Sequence, residues 1–101
     1  MEMILNVNAA TVGASAAAEG GVATEIAAAT AVASAALTAV MPMGADLDSV
    51  QFAAALNAAG ASYIAAAGEH TANRGMFAGS QNLAAATYTA TDAINNTALA
   101  L

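Results

Sequence analysis

Apolar and polar positions repeat with a helical period along most of this chain. Val22, Ile26, Ala29, Ala33, Ala36 and Val40 follow steps of four and three, the spacing that keeps one stripe of a helix apolar. Phe52, Leu56, Ala59, Tyr63, Ala66, His70, Asn73 and Phe77 keep the same rhythm further on. Between the runs lies a cluster of breakers, Met41-Pro42-Met43-Gly44-Ala45-Asp46. Pro cannot continue a helix, and Gly followed by Asp suits a turn leading into a new N-cap. Asp48 then falls in a first helical turn, where the helix dipole favours negative charge. The pattern predicts helices over about 8–40 and 47–86. So short a connection makes them antiparallel neighbours.

Further apolar residues, Leu47, Val50, Ile64, Met76 and Leu83, fall off the second stripe. An apolar face wider than one seam predicts contacts beyond the hairpin partner. Large side chains dominate interface energetics, so Val22, Ile26, Leu37, Phe52, Leu56, Tyr63, Ile64 and Phe77 are the candidate partner contacts. Gly20-Gly21 is the weakest point of the first helix, since each glycine costs helix propensity. Past Ala86 the residues Thr87, Thr89, Thr91, Asn95, Asn96 and Thr97 are weak helix formers. A hairpin over 1–86 followed by a frayed tail over 87–101 is the expected organisation.

Composition sharpens this picture. Alanine, the best intrinsic helix former, supplies about a third of the chain, so the fold class is all-α. Alanine also buries little area, and the larger apolar side chains (Leu, Ile, Val, Met, Phe, Tyr) number only 26. Against roughly 1.5 kcal/mol of ordering entropy per residue, that core is too thin for a stable monomer. The chain needs a partner.

Charge and chemistry mainly exclude. One Arg and no Lys against seven carboxylates, a formal charge of −6, cannot neutralise a run of phosphates, so no nucleic-acid partner is expected. The same count argues against docking on anionic headgroups. Without cysteine there is no disulfide, thiolate nucleophile or thiolate metal site. His70 is the only histidine, so one chain cannot build a multi-histidine metal site. The serines sit in no nucleophile-elbow context, and Gly20-Gly21 has no following Lys to make a phosphate loop. Arg74 reads as a partner contact or, in preference, as a solvated lone charge. No catalytic residue, cofactor, metal or small-molecule ligand is expected. The N-terminus has no Lys or Arg before its apolar stretch, so a secretory signal peptide is not expected either.

Two short motifs then carry a resemblance. Pro42-Met43-Gly44-Ala45-Asp46-Leu47-Asp48-Ser49 is similar to the Pro-x-Gly/Ala-Ala-Asp-x-x-Ser segment of the mycobacterial PE family. Tyr88-Thr89-Ala90-Thr91-Asp92 resembles the Tyr-x-x-x-Asp/Glu signal which that family carries after its second helix. Similarity runs from about Gly21 to Asp92. The Pro-Glu pair that names the family is absent, with Asn6-Val7-Asn8 standing about where it would be. The resemblance implies an antiparallel two-helix hairpin that completes a helical bundle with a PPE-family partner. It further implies a non-enzymatic heterodimer, held before export in the cytoplasm by a chaperone bound through the PPE protein. Type VII (ESX) secretion machinery would then deliver it to the cell surface or medium, with Tyr88 and Asp92 as the export signal. An i, i+4 pair places those two on one helix face.

Two other classes compete. Ile26 to Ala45 carries no charge, which keeps open a membrane-associated or pore-forming subunit of a PE/PPE complex. It has no flanking Lys or Arg, however, to fix an orientation. An Ala-rich structural helix of the antifreeze kind would space its Thr regularly, whereas here Thr falls irregularly.

Overall fold

A computed structural model describes residues 6–100 of the chain. The N-terminal stretch read for a secretory signal, up to Leu5, lies outside the described residues. Two α-helices account for the fold: α1 spans Ala9–Thr38 and α2 spans Leu47–Ala100, with no strand among the described residues. The protein is an all-α helical hairpin, as the periodicity and alanine content predict.

Local chemistry sets the helix ends. Asn8 caps α1 by accepting the Thr11 amide on Oδ1 at 3.1 Å, which satisfies one of the orphan donors of the first turn. Asp46 caps α2. Its Oδ2 accepts the Ser49 amide at 2.9 Å and its Oδ1 accepts the Ser49 hydroxyl at 2.8 Å. The end of α1 is held from across the hairpin. Asn57 Oδ1 accepts the Val40 amide at 2.8 Å, while Asn57 Nδ2 donates to the Val40 carbonyl at 3.1 Å.

The first helix is as predicted, and the end of the second needs correction. The Gly20-Gly21 pair does not interrupt α1, which is continuous over 30 residues. Alanine-rich turns on both sides supply enough propagation to carry two glycines. Nor does α2 end near Ala86; it runs on to Ala100. Threonine there turns its hydroxyl inward: Thr87, Thr89 and Thr97 donate to the carbonyls of Leu83, Ala85 and Ala93 at 2.9–3.0 Å. That local bond satisfies the hydroxyl without drawing the backbone out of the helix. The alanines between them do the rest.

The chain divides into two compact units, residues 23–73 and residues 1–22 with 74–101. In the first, Ala23, Ile26, Thr30, Ala33 and Leu37 of α1 are buried or half-buried, as are Ala53, Asn57, Gly60, Ile64, Ala67 and Thr71 of α2. Steps of three and four make this a coiled-coil-like seam between antiparallel neighbours. The seam is built of small side chains where the helices come closest. A Cβ added to Gly60 would overlap the Leu37 carbonyl, so only glycine fits there. This corrects the predicted stripe. Phe52, Leu56, Ala59, Tyr63, Ala66, His70, Asn73 and Phe77 run one residue away from the true seam and are all exposed.

In the second unit Ala16 and Ala78 are buried, and two polar pairs bridge the helices. Arg74 donates to Glu19 at 2.8 Å, and Gln81 Nε2 donates to Ser15 Oγ at 2.9 Å. Arg74 is therefore an ion-paired residue, about a third exposed, and not a solvated lone charge. With Glu19 as its partner, the chain's single cation is used internally.

Candidate functional site

Four alanines, Ala16, Ala23, Ala53 and Ala78, are the buried hydrophobic residues of the described chain. The large apolar side chains lie outside. Phe52 is 62% exposed, Tyr63 61% and Phe77 53%. Val22 and Leu56 are exposed too. Ile26, Leu37 and Ile64 are half-buried in the hairpin seam, and so each divides its surface between α1, α2 and solvent. The eight candidate partner contacts thus fall into two sets, five exposed and three wedged between the helices.

Within the unit of residues 23–73, two grooves run along the hairpin. One is lined by Ala36, Leu37, Val40, Leu56, Ala59, Gly60 and Tyr63, and so presents large apolar side chains. The other is lined by Ala27, Thr30, Ala31, Ser34, Ile64, Ala67, Gly68 and Thr71. Its hydroxyls are already satisfied, since Thr30, Ser34 and Thr71 donate to the carbonyls of Ile26, Ala31 and Ala67. A surface of this kind can be covered without stranding a donor. At the turn a third groove, of about 320 Å³, lies among Val40, Met41, Pro42, Met43, Phe52 and Leu56, with Asp48 at its edge.

Tyr88 and Asp92 belong to the other unit. Arg74, Ala78, Gln81, Ala85, Tyr88 and Asp92 follow steps of four and three, so both residues continue the seam register of α2. Ser15 stands against Gln81, and seven residues on in each antiparallel direction Tyr88 comes level with Asn8, the cap of α1. The seam therefore runs out of α1 where this pair begins. Tyr88 is 38% exposed and Asp92 is exposed, as is every described residue from Ala86 to Ala100. Sequence spacing alone places Tyr88 and Asp92 on one face. It does not say that the face is the hairpin's own, because the stripe of large residues lies one residue from the true seam.

The titratable groups do not converge. Among the described residues no three of His, Cys, Asp and Glu gather closely enough to hold a metal ion. Asp46 is engaged by its own cap. The Ser49 amide, and then the Ser49 hydroxyl, hold it below the usual carboxylate range. That is capping chemistry, as its geometry already states. Both helices are long and apolar enough to cross a membrane by length and composition.

The fold and surface define a class: an alanine-cored α-helical hairpin whose aromatic and aliphatic side chains face outward. The PE family model matches residues 5–95, and the chain belongs to the PE family. Comparisons with curated proteins and with solved structures find no significant match. The family is one of exported, non-enzymatic proteins that work through protein–protein partnering.

Proposed function

We propose that this PE protein forms a heterodimer with a PPE-family protein and is exported with it by a type VII secretion system. The observation that carries the reading is the inverted distribution of side-chain size. Alanine fills the hairpin's core, while Phe52, Tyr63 and Phe77 are more than half exposed. Burying such side chains releases about 1.5–3 kcal/mol each, so a partner helix pair supplies the area that the hairpin lacks. Phe52, Leu56, Tyr63 and Phe77, with Val22, are the exposed part of that interface, and Ile26, Leu37 and Ile64 support it from the seam. A cytosolic chaperone holds the complex through the PPE protein before export. Tyr88 and Asp92 are the signal, an aromatic anchor and an acid one turn apart.

Co-expression with a PPE protein, followed by secretion assays in a mycobacterial host, tests both halves. Phe52→Ala is expected to weaken assembly. Tyr88→Ala and Asp92→Ala are expected to leave the complex intact and stop its export. Wild-type secretion of either signal variant would refute the signal assignment, and an unchanged yield for Phe52→Ala would move the interface elsewhere. A membrane-associated subunit is the second reading, favoured by the length and apolarity of both helices. Flotation of the purified complex with neutral vesicles would support it.

A further inference from the structure

The turn groove has a composition that the rest of the surface lacks. Met41 is 80% exposed and Met43 97%, and with Val40, Pro42, Phe52 and Leu56 they form its apolar walls. Thioether side chains are flexible and polarisable, and they re-pack readily around an incoming apolar group. One carboxylate, Asp48, stands at the edge. Its neighbour Asp46 is occupied by Ser49, and the chain's only cation, Arg74, is occupied by Glu19. Asp48 has no hydrogen-bond or ion-pair partner among the described residues. It is exposed in the first turn of α2, and the sequence carries one Arg and no Lys.

We infer that the turn groove takes a basic amphipathic helix of the partner, with a large apolar side chain seated beside Phe52 and a Lys or Arg one turn away pairing with Asp48. Charge decides the occupant. A second copy of this chain would bring further carboxylates against Asp48, and an anionic lipid surface would be repelled in the same way. A partner helix with both an apolar anchor and a cation satisfies groove and carboxylate together. The groove is continuous with the hairpin's large-side-chain face, because Val40 and Leu56 line both. The inference rests on the proposed heterodimer and adds the partner's chemistry at the turn.

The experiment uses the co-expressed complex with a PPE protein. Complex yield and the salt dependence of dissociation would be compared for wild type, Asp48→Asn, Asp48→Lys and a control, Glu69→Lys. Asp48→Asn is expected to weaken the complex about threefold, as an exposed ion pair does, and to reduce its sensitivity to salt. Asp48→Lys is expected to weaken it about tenfold, because the like charge now faces the partner's cation. Exchange of that partner cation for Glu should restore Asp48→Lys. Glu69→Lys should change little. A complex that forms normally, yet ignores both Asp48 variants, overturns the inference and leaves the heterodimer standing. A wild-type chain that assembles with no PPE protein overturns both.

Discussion

Gly60 and Gly68 lie on the same helix and have opposite meanings. At Gly60 the Leu37 carbonyl occupies the space of a Cβ, whereas nothing lies within 4 Å of a Cβ at Gly68. Gly60→Ala must push the helices apart and is expected to lower stability by about 2 kcal/mol, read from urea melts of the complex. Gly68→Ala gains helix propensity at an open position and is expected to raise it by about 0.5–1 kcal/mol. Loss of stability at Gly68 would reveal a partner backbone against that face. Asn57 is the third residue of consequence. Its amide makes both hydrogen bonds to Val40, so Asn57→Ala is expected to cost about 1–3 kcal/mol and to free the Val40 amide in hydrogen exchange. None of these three stood out in the sequence. The stripe of Phe52, Leu56 and Tyr63 is the louder pattern because large apolar side chains usually mark a core. Here close helix approach selects small residues for the seam, and steps of four and three through Ala53, Gly60 and Ala67 were the quieter signal.

Among the elements, α2 holds the larger lesson. The breaker cluster and the Asp46 cap were legible, because Pro, Gly and Asp act locally. The C-terminal half was not, because threonine's low propensity assumes a hydroxyl that competes for backbone, and Thr87, Thr89 and Thr97 bond within the helix instead. Helix without cover should still be the least protected. Amides beyond Tyr88 are expected to exchange faster than those between Ala53 and Ala78, and equal protection would mean that something shields them. The start of α2 should respond to acid. Asp46 is held below its ordinary pKa in the folded chain, so its contribution is present above the unfolded carboxylate value near 3.8. It is lost as pH falls through the lower, folded value. Acid titration of the Ser49 amide resonance should show that step, and Asp46→Asn should abolish it.

For the molecule as a whole, area is the governing quantity. Among the described residues the buried hydrophobic ones are four alanines, while fifteen large apolar side chains are exposed. A shortfall of core was already visible in the count of large side chains. Stability should therefore depend on partner concentration. The urea midpoint is expected to rise with added PPE protein, by about 2.7 kcal/mol in free energy at a hundredfold excess over Kd. A midpoint that stays fixed while light scattering reports a monomer would mean that the alanine seam suffices alone.

The distribution of aromatic side chains has an optical consequence. With no tryptophan and only two tyrosines, ultraviolet emission from the hairpin comes from Tyr63 and Tyr88 alone. They lie in different units, one on the broad apolar face and one where the seam outruns α1. Tyr63→Phe leaves a fluorophore that reports on the C-terminal part of α2, and Tyr88→Phe leaves one that reports on the groove shared with Leu56 and Ala59. A titration followed by the difference between those two variants separates changes at the two positions without any added label.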